Sequence, residues 1–375
     1  MSRQRDLVVV GGGVIGLSIA WLAASRGTGV TVVDPSAGRG ATWAAAGMLA
    51  PVSEAHFGEE ELVQLLCAGA SRWDDFAARL EEATGLGIGF ERTGTLLVAH
   101  RGADRSELRR LVDFQHSLGL AVEELDADEV RQREPGLSPS IRAGAFIAGD
   151  RQVDNRALVA ALLAVLDRCG VEMLVDSVIG IDEGEGGPTT RLASGASMGS
   201  KSVVLAAGAH LGSLEVPLDA ALPTIRPVKG HIIRLSSAAP LIAHTIRASV
   251  RGRAVYLVPR SSGEIVVGAT VEEQGFDDTV RAGEVFSLLE DARQVVPGLD
   301  FAELLEVSAG LRPGSSNNAP SIGWTGMKSV AVAGGHYRNG VLLAPITAEM
   351  VVALLYDEHH LGTDLLAAAH QGGLQ

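Results

Sequence analysis

Four residues near the start of the chain have types and spacing suited to holding a phosphate-bearing ligand. Gly11, Gly13 and Gly16 follow the apolar run Leu7-Val8-Val9-Val10 and lead into a helical pattern, and Asp34 closes the next apolar run, Val30-Thr31-Val32-Val33. Strand, glycine turn, helix and acid in this order make the fingerprint of a dinucleotide-binding βαβ unit in its required context. Gly11 permits the tight turn, Gly13 lets the backbone approach a pyrophosphate, and Gly16 lets the helix lie close on the sheet. The helix N-terminus then offers its amides and the positive end of its dipole to the phosphates. Asp34 lies about 20 residues beyond the glycines, where a carboxylate accepts hydrogen bonds from a ribose 2′-hydroxyl and repels a 2′-phosphate.

Arg3 and Arg5 before an apolar stretch ending in Ala23-Ala24-Ser25 also resemble a secretory signal. Asp6 interrupts the basic segment, the glycines weaken a signal helix, and a matching second strand follows, so the nucleotide reading is preferred. A 375-residue chain with 46% hydrophobic residues is long enough for a large core and more than one domain. Its apolar runs are broken by charge or glycine before they reach a membrane-spanning length. A net charge of −14 disfavours nucleic acid or an anionic membrane as partner, yet leaves room for a small anionic substrate met by a local arginine. The cysteines, Cys67 and Cys169, lack metal-ligand spacing and are expected as reduced, buried thiols. These features together lead us to expect a cytoplasmic enzyme without a metal.

The elements that must position such a site follow from periodicity. Residues 59–83 and 105–118 have helical spacing, Phe90 to Ala99 reads as a strand, and 155–170 reads as a helix with Asp154 as N-cap and Gly170 at its end. Val171 to Ile181 and Ser202 to Ala207 resemble further strands of the nucleotide sheet. From His231 to Ala269, short strands and a turn at Ser261-Ser262-Gly263 suit an antiparallel sheet. Val330 to Ala333, then Gly334 and Gly335, then helical spacing from Val341 to Leu355, would return the backbone to the nucleotide. The expected fold is α/β (α+β), with a Rossmann-like nucleotide domain interleaved with a second domain on the antiparallel sheet. Gly85, Gly87 and Gly89 follow a charged helical pattern rather than a strand and read as a loop, so one dinucleotide is expected.

The fingerprint, Thr42 with Ala44-Ala45-Ala46-Gly47-Met48, Pro227-Val228-Lys229-Gly230, Tyr256-Leu257-Val258-Pro259-Arg260, Val267-Gly268-Ala269-Thr270, Ala309-Gly310-Leu311-Arg312-Pro313 and Gly335-His336-Tyr337-Arg338-Asn339-Gly340 together resemble the flavin-dependent amine oxidases. Within that group they are most similar to the glycine oxidases of thiamine biosynthesis, in the same order along essentially the whole chain. The resemblance implies noncovalently bound FAD, with a nucleotide domain at 1–85, 146–215 and 308–375 and a substrate domain at 86–145 and 216–307. By position, Val14, Ile15, Asp34 and Pro35 would meet the adenosine and phosphates. Ala41, Thr42, Ala46, Gly47 and Met48 would continue toward the flavin, Val178 would contact near the adenine, and His336, Tyr337, Arg338, Asn339, Gly340, Val341 and Leu342 would lie along the ring system. Asp34 departs from the glutamate found in many relatives by one methylene.

The implied reaction is oxidation of a small amino acid at Cα, with hydride passing to flavin and dioxygen reoxidising it to give hydrogen peroxide. The protein's part is to position a substrate with a neutral amine, which needs no strong base at carbon. Arg312 is the expected carboxylate anchor, because a guanidinium grips a carboxylate through parallel hydrogen bonds. Taken without the motif, an ordinary salt-bridge arginine is the better reading of Arg312. Pro313 and Gly314 read as a turn at a strand end. Tyr256 is expected to donate to the same carboxylate, against the alternative of a packed strand aromatic, and Arg338 to add positive potential or else to be a loop arginine. Ala254 and Val271 are candidates for limiting pocket size. A D-amino acid or sarcosine oxidase of the same fold, or a flavoprotein without turnover, remain alternatives. The resemblance also implies a homotetramer and a hand-off of the imine to thiazole synthase.

Overall fold

The computed structural model describes residues 5–100 and 102–358, without the side chains of 102 and 103. Arg3 of the signal-like segment, and residues 1–4 and 359–375 of the expected nucleotide domain, lie outside them. The chain builds two large sheets and passes between them repeatedly. The opening strand Arg5–Val10 is flanked by Val30–Val33 and Ser197–Leu205, all parallel, with Glu172–Leu174 and Val330–Gly334 extending the parallel array on either side. Such strands are covered on both faces, which explains why Leu7 to Val10 is a continuous buried apolar run rather than an alternating one. The helix Val14–Ser25 is buried around most of its circumference, packed against Asn155–Arg168 and Gly340–Leu355.

The second sheet has the order Glu303–Gly314, Arg226–Ser236, Glu264–Gly268, Arg253–Pro259, Thr245–Val250, Thr95–Ala99, Ala143–Ile147, Glu123–Asp126. Its pairings are antiparallel except that between Thr245–Val250 and Thr95–Ala99. One face packs its alternating apolar residues, among them Ile233, Leu257 and Val267, against the helix Ala282–Val295. The other face packs Ile232, Val258 and Val266 against Ala44 and Ala46.

Several expectations shift in detail. The strand Ala143–Ile147 crosses the expected boundary at 145/146, and Glu303–Gly314 crosses the one at 307/308, so residues 146–147 and 308–314 belong to the second sheet. The pattern at 59–83 is two helices, Glu60–Ala70 and Trp73–Thr84, broken at Ser71 and Arg72. The strand expected from Phe90 starts at Thr95, because Gly94 adopts a left-handed φ of 74°. Val178–Asp182 pairs antiparallel with Thr189–Leu192 as a hairpin off Ser197–Leu205, outside the parallel array. Asp154 caps its helix as expected, accepting from the N–H groups of Arg156 and Ala157. Cys169 is exposed rather than buried, because it sits at the C-cap of that helix, and Cys67 is half-buried.

Candidate active site

The glycine turn is forced by close approach. Gly11 has φ +104°, and a Cβ there would lie 2.3 Å from the carbonyl oxygen of Ala206, just past the end of the neighbouring strand. A Cβ on Gly16 would lie 1.9 Å from the Gly11 carbonyl oxygen, so helix and turn are in contact at this point. Gly13 differs: the nearest atom to its Cβ position is Thr42 Oγ1 at 3.5 Å, and its free side is a cavity. Gly13 is the N-cap of its helix with no side chain capping it and no acid in the first turn. Thr42 instead accepts from the Val14 N–H at 3.0 Å. Asp34 Oδ2 accepts from the Gly12 N–H at 2.6 Å and Oδ1 from the Ser36 N–H at 2.7 Å, which pins the acid at the mouth of the turn.

A cavity of about 890 Å³ runs from this turn to the inner face of the second sheet. Every residue expected to meet cofactor or substrate lines it except Gly16, which lies beneath it as a packing glycine. Asp34, Pro35 and Val178 stand toward the glycine turn; His336 to Leu342 follow the last parallel strand; Tyr256, Arg312 and Arg338 occupy the other end. The Tyr337 N–H donates to the Pro313 carbonyl at 2.9 Å, so that segment is fastened to the strand carrying Arg312.

Strand alternation builds the far wall. Ser308, Gly310 and Arg312 share one face of their strand, and Gly268 is opposite both Tyr256 and Ile232 in the ladder. Two glycines make room for the polar groups. A Cβ on Gly230 would lie 2.3 Å from both terminal nitrogens of Arg312, and one on Gly268 2.2 Å from the Tyr256 hydroxyl. Arg312 Nη1 donates to the carbonyls of Lys229, at 3.3 Å, and Thr270, at 3.2 Å. Among the described residues Arg312 is in no ion pair with a carboxylate. Burial raises the pKa of Tyr256 despite the nearby Arg312, so its phenol stays a donor. The turn expected at Pro313 and Gly314 is absent: pairing continues through both to Pro227 and Arg226, and the proline is tolerated because this is an edge strand.

The segment after Gly268 contributes to the cavity wall. Val271 and Asp278 line it, as does Ala254. Beneath, buried Lys229 meets Asp277 at 3.4 Å, and His231 contacts Thr270 Oγ1 at 2.8 Å while its Nε2 accepts from the Arg281 N–H at 3.0 Å. Phe276 stacks on the lining residue His210, with centroids 4.9 Å apart.

Arg338 does not act as a source of unbalanced positive charge. Its guanidinium meets Glu54 at 2.7 Å and Glu59 at 2.8 Å, and Glu54 also pairs with Arg247. Burial pushes the Glu54 carboxyl up, but Arg247, Arg338 and His56 outweigh it and hold the group at about 2. His56 beside them is lowered, by burial first and then by Arg338. Glu54, His56 and Arg247 all line the cavity, and none was singled out from the sequence. The one local signal was that Arg247 alternates with buried residues in Thr245–Val250; its place opposite Tyr256 required the pairing register. His336 is fully buried, bonds Thr347 Oγ1 at 3.0 Å and is lowered by burial to about 3, which leaves it a neutral ring unsuited to act as a base.

Residues 6–354 match the DAO family, described as FAD dependent oxidoreductase. A glycine oxidase of Geobacillus kaustophilus is 32% identical over 95% of this chain and 94% of its own. The crystal structure of glycine oxidase from that organism covers 100% of this chain and 99% of its own, with 30% identity and a TM-score of 0.91. The bifunctional protein ThiO/ThiG of Nostoc sp. is 32% identical over 94% of this chain, which spans only 53% of that relative's length. Among the described residues no helix is long and apolar enough to cross a membrane, and no group of metal-ligating side chains is assembled.

Proposed function

Since this chain belongs to the FAD-dependent oxidoreductase family and is an FAD amino acid oxidase of the glycine oxidase type, we propose that its substrate is glycine. The observation that carries this reading is Arg312, a guanidinium in no ion pair among the described residues, at the far end of the cavity that begins at the glycine turn. A carboxylate is the group it lacks.

The residues present fit FAD. Gly13 would let the pyrophosphate reach the helix N-terminus, Asp34 has further lone pairs for a ribose hydroxyl, and Ala41 to Met48 with His336 to Leu342 would flank the remainder. Bound FAD supplies a two-electron acceptor whose electrons pass on to dioxygen. Arg312 holds the substrate carboxylate, and the Tyr256 phenol donates a second hydrogen bond to it. His336, neutral and buried, adds no charge of its own to this segment. Glycine gives up a hydride from Cα and a proton from nitrogen to become its imine. Dioxygen takes two electrons and two protons to become hydrogen peroxide, and water converts the imine to glyoxylate and ammonia. The Nostoc relative, whose name joins ThiO to ThiG in one chain, supports a hand-off of the imine to thiazole synthase before hydrolysis.

Anaerobic bleaching of the purified, FAD-loaded protein by glycine, sarcosine and D-alanine in parallel, then admission of air with peroxide detection, tests the reading. Fastest bleaching by glycine supports it. Preference for sarcosine or D-alanine moves the activity to a sister oxidase, and no bleaching by any of them overturns it.

A further inference from the structure

Besides Arg312, three other guanidiniums line the cavity: Arg39, which lies over the Trp43 ring at 3.8 Å, and Arg247 and Arg338, which share carboxylate partners. Arg247 and Arg338 converge on Glu54, and Arg338 also engages Glu59. The quartet is therefore two cations against two anions. Glu54 is the shared member: it is buried, is held ionised at about 2, and touches both arginines. Arg312 has no such carboxylate among the described residues and meets main-chain carbonyls instead.

We infer that Glu54 is a specificity-determining residue that, together with Glu59, neutralises Arg247 and Arg338, so that Arg312 is the guanidinium left to receive a carboxylate and the site takes substrates with one carboxylate in preference to those with two. The inference rests on the proposed amino acid oxidase activity and deepens it by substrate class. In a low-dielectric cavity an unpaired guanidinium is a strong anion receptor, whereas one already bonded to a carboxylate must lose that partner before it binds another. A second acid group on the substrate would also face the Glu54 charge directly. Selection here comes from a repulsive element built into the wall as well as from the attractive one at Arg312.

Arg247 stands opposite Tyr256 in the strand ladder and lines the same cavity, as do Glu54 and Arg338, so three of the four groups are in the cavity wall rather than on the outer surface. One contact in it is imperfect. Glu54 Oε2 and Arg338 Nε approach to 2.7 Å, yet neither finds a hydrogen-bond partner of good geometry. The pair is held by charge more than by direction, and removal of the Glu54 charge leaves Arg247 able to receive an anion while Arg338 keeps Glu59.

The test is calorimetric binding of glycolate, with one carboxylate, and diglycolate, with two, to the FAD-loaded protein; neither carries an amine, so binding is read apart from turnover. Wild type is expected to prefer glycolate. Glu54→Gln should shift the ratio of affinities toward diglycolate by about tenfold or more, and Glu54→Gln with Arg247→Met, which removes one charge of each sign, should bring it back toward wild type. Arg247→Met alone should move the ratio the other way, and it keeps the idea testable where Glu54→Gln does not fold. An unchanged ratio in a folded single variant overturns the inference while bleaching of wild type by glycine leaves the proposed function standing. A wild type that binds neither acid and is not bleached by any amino acid overturns the reading beneath it.

Discussion

The Arg312 guanidinium occupies the space that a side chain at Gly230 would fill: a Cβ at that glycine would lie 2.3 Å from both Nη1 and Nη2. The two residues are on adjacent strands, and the missing methyl sets where the arginine can point. Gly230→Ala should therefore act as an Arg312 variant without touching Arg312. Loss of a well-placed charged hydrogen-bond pair corresponds to a rise of about 10- to 100-fold in KM for glycine, with FAD retained. Steady-state kinetics beside flavin absorbance checks it; an unchanged KM would mean the arginine is not held by this packing.

Arg312→Lys keeps the charge but loses the fork. Flavin reduction at low glycine should slow at least about tenfold because one ammonium cannot orient a carboxylate as two parallel N–H groups do. Stopped-flow reduction measures this, and equal rates for lysine and arginine would remove Arg312 from its assigned role.

Tyr256→Phe deletes a phenolic donor whose pKa is raised by burial, so the neutral phenol is the form lost. KM for glycine should rise by about tenfold, the effect of one hydrogen bond to a charged group. The effect should be the same at neutral and mildly alkaline pH.

Gly11 and Gly13 should fail in different ways. Gly11→Ala places a Cβ 2.3 Å from a main-chain oxygen at φ +104°, and should lower the melting temperature of the apoprotein through about 1–3 kcal/mol of strain. Gly13→Val meets only Thr42 Oγ1 at its Cβ, at 3.5 Å, and projects into the cavity. It should leave apoprotein stability nearly intact and abolish FAD binding, as read by absorbance after reconstitution.

Asp150 carries a stability prediction. It is fully buried beside the loop that bears Glu54, accepts from the Val52 N–H at 3.4 Å, and is raised by burial from 3.8 to about 6 in spite of hydrogen bonds from Ser53, Thr95 and Val52. The folded state thus holds this proton more tightly than the unfolded one. Its contribution is fully present below pH 3.8 and is lost as pH rises through about 6, on the order of 3 kcal/mol at most. Asp150→Asn should raise the melting temperature at neutral pH and flatten its dependence on pH across that window. A variant with the wild-type slope would assign the titration to another group.

Much of the nucleotide end was legible in the chain because its rules are local. Strand, glycines and helix lie within a few residues of one another, and the φ of Gly11, the open side of Gly13 and the cap at Asp154 follow from those spacings. The roles of Gly230 and Gly268 were not legible, since each makes room for a side chain on a different strand, and sequence spacing says nothing about which strands will be neighbours. Pro313 misled for the same reason: as a breaker it suggests a turn, but on an edge strand opposite Pro227 its missing N–H does not end the pairing.

By itself the sequence determined the βαβ unit, the alternation of the two kinds of sheet and the resemblance that pointed to Arg312 and Tyr256. Only the tertiary structure decided the charge of the site. Arg338 read as a free cation until Glu54 and Glu59 were found against it, and Glu54 meets Arg247 across 193 positions of chain. Charge balance in a cavity depends on distances between groups, and those distances are fixed by strand register and sheet packing rather than by position along the chain.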